Sequence, residues 1–228
     1  MKLTRVPSQL SESLHHQLSM YAVAATAAGV GIAALAQPAQ AKIVYTPAHV
    51  KINQQHRMYN LDLNHDGVTD FSLGLNSSVN QSGGALWLSA DPAVLKQDGV
   101  MGVISSASLL RAGEKIGVGK QVFFEAHYMA GFWTNSAGRS GFLWQWAKHG
   151  KGVQNGYLGL KFTIGGTTHY GWARMNVEFR LKGKIEVVSG VLTGYAYETI
   201  PNRPIIAGKT RGKDDATLGR LALGAAGR

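Results

Sequence analysis

Residues 157–179 constrain the fold more than any other stretch. Leu158, Leu160, Phe162 and Ile164 alternate with Tyr157, Gly159, Lys161 and Thr163. Gly165-Gly166 follows, and Ala173, Met175, Val177 and Phe179 then alternate with Trp172, Arg174, Asn176 and Glu178. Successive side chains of a strand point to opposite faces, so period two on both sides of a Gly-Gly pair is the pattern of a β-hairpin. Each strand carries one apolar face, which predicts a sheet covered on one side.

Most of the chain reads the same way. "KIVYTPAHVKI" (residues 42–52) is broken by Pro47 and suits a first or edge strand. "GALWLSA" (84–90) and "QVFFEAHYMAGFW" (121–133) read as strands, and 184–200 as one or two more. In "DPAVLKQ" (91–97), Asp91 and Pro92 predict one capped helical turn. With many short strands, 29 glycines and no fixed-period repeat, the expected fold is all-β: a β-sandwich or jelly-roll-like domain.

The N-terminus has a different character. "MYAVAATAAGVGIAALA" (20–36) is a small, apolar run after Lys2 and Arg5, and "AQA" (39–41) is a small-x-small site. This layout predicts a secretory signal peptide over 1–41. The β-domain is then expected over 42–208, followed by a flexible basic tail over 209–228. Removing Lys2, Arg5 and Glu12 with the leader lowers the net charge from +10 to +9. No transmembrane anchor is expected in the mature chain. There is no cysteine, so an exported domain of this kind must be held by its core, by bound ions or by a partner. The basic excess is spread out, which argues for weak attraction to an anionic envelope polymer or polysaccharide and against nucleic-acid recognition.

Three of the seven aspartates fall within nine residues, in "YNLDLNHDGVTDFSL" (59–73). Spacing 1, 3 and 5 turns Asp62, Asn64 and Asp66 toward one centre. Gly67 permits the bend after the third ligand. The Val68 carbonyl would face the metal at position 7, and Asp70 would close the site at position 9. His65 is expected to point outward. A glutamate at position 12 would complete a helix-loop-helix site, but Leu73 stands there within a strand-like run. The pattern therefore predicts a calcium-binding β-hairpin, with the ion in a structural role.

Other motifs carry less. "GRSGF" (138–142) lacks the second glycine of a nucleophile elbow, and "GEKIGVGK" (113–120) lacks the Ser or Thr of a phosphate loop. Glu125 and His127 share a strand face and form either an acid/base or metal pair or an exposed polar face; no third group is fixed by the sequence, so the exposed polar face is the expectation. Glu114, Glu125, Glu178, Glu186 and Glu198 include no pair that spacing selects for glycoside hydrolysis. Trp133, Trp144, Trp146, Trp172, Tyr170, Tyr195 and Tyr197 either stack sugars or pack the core, and core packing is the more ordinary role.

The acidic loop resembles the FG-GAP-type calcium hairpins of integrin-like propellers and of secreted bacterial proteins, in a single copy. The leader, the loop and "GYLGLKF…HYGWARMNV…TGYAYETIPNRPIIAG" together resemble secreted bacterial proteins of the PEP-CTERM-associated kind, although no Pro-Glu-Pro motif is present. The resemblance implies export and no particular enzymatic activity. The expectation is an exported, calcium-stabilised β-domain with a binding or cell-envelope role. The alternative is a carbohydrate-binding or glycosidase-like secreted module.

Overall fold

The computed structural model describes residues 42–94, 97–119, 121–125, 127–182 and 185–212. The expected leader and residues 213–228 lie outside the described residues. Strands dominate. In chain order they are β1 (Ile43–Ile52), β2 (Met58–Leu61), β3 (Phe71–Asn80), β4 (Gly83–Pro92), β5 (Gly99–Val103), β6 (Ser106–Ala107), β7 (Lys115–Ile116), β8 (Phe123–Phe124), β9 (His127–Asn135), β10 (Ser140–Leu143), β11 (Val153–Ile164), β12 (Thr167–Lys182), β13 (Ile185–Glu198) and β14 (Ile205–Ile206). One short 3-10 segment, Gln145–Gly150, follows β10.

Two antiparallel layers face each other. One runs β1-β13-β12-β11 and the other β9-β4-β3-β2, with the short β5 and β6 joining them into a continuous hydrogen-bonded path. The domain is all-β, a sandwich bent toward a barrel. β1 lies at one end of the path, where Pro47, which has no N–H to donate, marks a shift in register against β13. β11 and β12 form the hairpin read from period two: Ile164 pairs with Thr167 across Gly165 (φ 55°) and Gly166 (φ 78°). Positive φ at both central residues matches the twist of the flanking strands.

The core lies between the layers. Leu158, Leu160 and Phe162 of β11 and Ala173, Met175 and Val177 of β12 meet Leu73, Leu75, Leu88 and Met129 of the opposite layer in one cluster. These are the apolar faces that alternation marks. At Gly190 of β13 an added Cβ would lie 3.2 Å from the Met175 side chain and 3.3 Å from that of Leu88, so side chains of both layers already fill the space a larger residue would need.

The expectation of a sheet covered on one side fails for this layer. Tyr157, Tyr170 and Trp172 occupy the opposite face of β11 and β12, yet all three are buried. Leu110, Ile116, Ile205 and Ala207 pack over them in a second cluster. Ile116 and Ile205 belong to the two-stranded β7–β14 ribbon, which lies across that face. The Trp172 indole N–H donates to the Lys209 carbonyl at 3.2 Å, so the fold extends past residue 208, where the tail was expected to begin.

Residues 91–97 also differ from expectation. Asp91 and Pro92 are the last residues of β4, with Pro92 opposite Phe71. Leu95 and Lys96 of the expected turn lie outside the described residues; beyond them the Asp98 N–H donates to the Val94 carbonyl at 3.1 Å. Tertiary pairing along β3 overrides a local capping signal.

Candidate functional site

The acidic loop connects β2 to β3. Leu61 pairs with Phe71, and the Asp70 N–H donates to the Leu61 carbonyl at 2.9 Å, so residues 62–70 are the closed end of a hairpin. Within it the aspartates fold the backbone around themselves. Asp62 accepts the N–H groups of His65 (2.7 Å), Asp66 (3.3 Å) and Gly67 (2.8 Å). Asp66 accepts the Val68 N–H and the Asn64 amide, both at 2.8 Å. Asp70 is buried and accepts the Leu63 N–H at 2.7 Å.

The electrostatics of this end are unfavourable for an empty loop. Burial pushes the Asp70 carboxyl up to about 7, and the charges of Asp62, Asp66 and Asp98 push the same way against the Leu63 hydrogen bond. Burial also raises the Tyr197 hydroxyl, helped by the negative charges of Asp70, Asp62 and Asp66. The Asp66 carboxyl is lowered by its bonds from Asn64 and Val68. The Asn64 Oδ1 is buried with no hydrogen-bond partner. A buried acceptor left unpaired costs about 1–3 kcal/mol, and a cation bound at that oxygen would satisfy it.

The structure places Asp62, Asn64, Asp66, Val68 and Asp70 in one hairpin end. Their carboxylates are turned to backbone N–H groups, and among the described residues no three His, Asp or Glu side chains are gathered as a metal centre. Each carboxylate oxygen holds two lone pairs; Asp62 Oδ1 uses both, on the His65 and Asp66 N–H groups, and the other carboxylate oxygens of the loop keep acceptor capacity. His65 is exposed but not turned away: its Nε2 lies 2.9 Å from the Thr46 hydroxyl of β1, and its ring stands 5.8 Å from that of Tyr195. The loop is thus tied to the opposite layer by a residue that the metal pattern ignores.

The seven candidate aromatics divide. Trp146, Trp172, Tyr170 and Tyr195 are buried, and Tyr197 is half-buried against Phe162, with ring centroids 5.6 Å apart. Trp133 and Trp144 stay half-buried on the outer face of the second layer, where Trp87 and Tyr128 join them. Register explains the grouping: Trp87 lies opposite Gly131, and Trp133 opposite Ala85. Tyr128 stacks on Trp144 at 4.6 Å and meets Trp87 edge-on at 6.1 Å. Beside them, Asn76 donates to Ser89 and Ser89 to Asp91, each at 2.8 Å.

Trp144 has φ 65° and ψ 169°, a region occupied almost only by glycine. Lys148 (φ 46°) and His149 (φ 56°) follow in consecutive left-handed conformations. Each such residue costs about 1–3 kcal/mol and persists where surrounding structure holds it, commonly at functional sites.

The charged candidates are dispersed. His127 is 1 % exposed, contrary to the exposed polar face expected for it, with its ring 5.3 Å from Phe124, while Glu125 is exposed. Glu178 pairs with Arg180 at 2.7 Å, and the buried Glu198 accepts the Ile200 N–H. Among the described residues no helix is long and apolar enough to cross a membrane. Compared with protein-family models, curated proteins and solved structures, the chain matches none.

Proposed function

We propose that the protein is an exported binding domain of the cell envelope or its surroundings, held by a structural calcium ion at residues 62–70. The observation that carries the calcium reading is the buried, unpartnered Asn64 Oδ1 among Asp62, Asp66 and Asp70. Asp62, Asn64, Asp66 and Asp70 would supply side-chain oxygens, and Val68 its carbonyl, the hard oxygen donors that calcium selects. Binding requires the side chains to turn inward while the hairpin stays closed by the Asp70–Leu61 bond. The ion would neutralise charges that now oppose one another.

The test is thermal unfolding of the full chain in EDTA and then in millimolar calcium, beside Asp66→Ala. A rise in Tm with calcium that Asp66→Ala abolishes supports the reading. Identical curves in all conditions reduce the loop to a polar turn. At about ten times its dissociation constant, calcium would add roughly 1.4 kcal/mol.

A second reading, saccharide binding, is favoured by the outer face bearing Trp87, Tyr128, Trp133 and Trp144. Partly exposed rings beside amide and hydroxyl groups offer both the flat apolar surface and the hydrogen bonds that a sugar ring uses. Retention on immobilised polysaccharide without release of reducing ends would separate a binding module from a hydrolase.

A further inference from the structure

At the edge of the aromatic face, the strained 144–149 segment borders a cavity of about 470 Å³. This is within the range of about 300–1,000 Å³ found for small-ligand sites. Its lining includes Arg111, Trp144, Gln145, Lys148 and His149. Three basic side chains thus border one concave space. Among the described residues the ion pairs are Arg180–Glu178 and Arg203–Glu198, so none of the three is ion-paired with a described carboxylate. The nearest acid in the bonding pattern is Glu114, which accepts the Arg111 backbone N–H at 3.1 Å but forms no ion pair with its guanidinium.

The cavity is held open by specific contacts. Gln145 Oε1 accepts the Leu109 N–H at 3.1 Å and fixes one wall. Phe142, a second lining residue, packs against Phe179 edge-on at 5.1 Å. Lys148 and His149 reach the cavity from consecutive left-handed residues, a conformation that regular continuation of the chain would not adopt. The arrangement gathers Arg111, Lys148 and His149 around the same space as Trp144.

We propose that this cavity binds the anionic group of an acidic sugar, with the pyranose ring against Trp144 and the carboxylate held by Arg111 and Lys148. Charge complementarity selects an anion, because the cavity carries three bases without a paired acid. Arg offers a forked pair of donors matched to a carboxylate and Lys a point charge. The indole selects a ring with an apolar face over a bare anion. The ligand class is a uronate-containing polysaccharide. The proposal rests on the saccharide reading of the Trp144 face and is independent of the calcium loop.

The test measures binding of the full chain, with calcium present, to hyaluronate, to dextran and to polyphosphate by affinity electrophoresis and tryptophan fluorescence. Hyaluronate is expected to bind at least about ten-fold more tightly than either of the others. Arg111→Gln with Lys148→Gln should weaken it by about ten-fold or more, while Lys51→Gln with Lys115→Gln, an equal loss of charge elsewhere, should not. Trp144→Phe should remove the fluorescence response, and circular dichroism verifies that each variant is folded. Equal binding of polyphosphate, or equal loss in both double variants, would overturn the proposal in favour of general attraction to a basic protein. Equal binding of dextran would overturn the anionic site and keep the saccharide reading. Binding of none of the three would overturn both.

Discussion

The carboxylate of Asp70 accepts the backbone N–H of Leu63 at 2.7 Å, across the closed end of the β2–β3 hairpin. This bond makes Asp70 a structural member of the loop before any ion is considered. The same side chain is buried beside Asp62 and Asp66 and disfavours its own charge. Asp70 therefore serves the hairpin as an acceptor and harms it as an anion.

Asp70→Asn separates those two roles. The amide oxygen can still accept the Leu63 N–H, and the charge is gone. In EDTA near pH 8 the variant is expected to melt higher than the unmodified protein. In calcium it should lose the increment that the unmodified protein gains. A variant that melts lower in EDTA would show that the charge itself is needed for the hairpin.

The apo protein should become less stable as pH rises from about 4 to about 7. Asp70 has its folded value raised to about 7, so in that window the folded state binds a proton more tightly than the unfolded chain does. Stability is then present at low pH and lost on passing through the folded value. Burial raises Asp91 and Asp98 in the same direction. Unfolding in EDTA at a series of pH values checks the slope, and Asp70→Asn should flatten it.

Trp172 joins the second cluster to the C-terminal end of the described fold. It is fully buried, meets Tyr157 edge-on at 5.3 Å and donates to Lys209. Trp172→Ala should cost about 3–5 kcal/mol by opening a cavity. Trp172→Phe should cost about 1–3 kcal/mol, through loss of the indole donor to the Lys209 carbonyl. Urea unfolding of the two variants measures both values.

Gly131 is the floor on which the outer aromatics rest. A Cβ there would lie 2.5 Å from the Trp144 ring and 3.0 Å from the Trp87 Cβ. Gly131→Ala should displace Trp144 from Tyr128 and cost about 1–3 kcal/mol. Near-ultraviolet circular dichroism is expected to change with it. An unchanged spectrum would mean that the Trp144–Tyr128 stack does not depend on the close approach at Gly131.

Much of the fold was legible because its information is local. Alternation over 157–179 marks which side chains share a face, and a Gly-Gly pair supplies the two positive φ values of the turn. The acidic loop was legible for the same reason: nine consecutive residues close on themselves through bonds that Asp62, Asp66 and Asp70 accept from neighbouring N–H groups. Asp91-Pro92 misled, because a capping signal is also local, and pairing with Phe71 and Ser72 outweighs it.

By itself the sequence determined most of the long strands, the Gly165-Gly166 turn and the loop that gathers acids. Tertiary structure decided which aromatics meet water. Tyr170 and Trp172 on β12, and Trp87 and Trp133 on the other layer, all lie on faces turned away from the central core. The first pair is buried because Ile116 and Ile205, remote in the chain, fold over it, and among the described residues no such ribbon lies over the second pair, which stays half-buried. Likewise Arg111 joins Lys148 and His149 only where β11 brings Leu110 opposite Tyr157 and Gln145 ties back to Leu109. A strand's period specifies two faces; what covers each one depends on segments dozens of positions away.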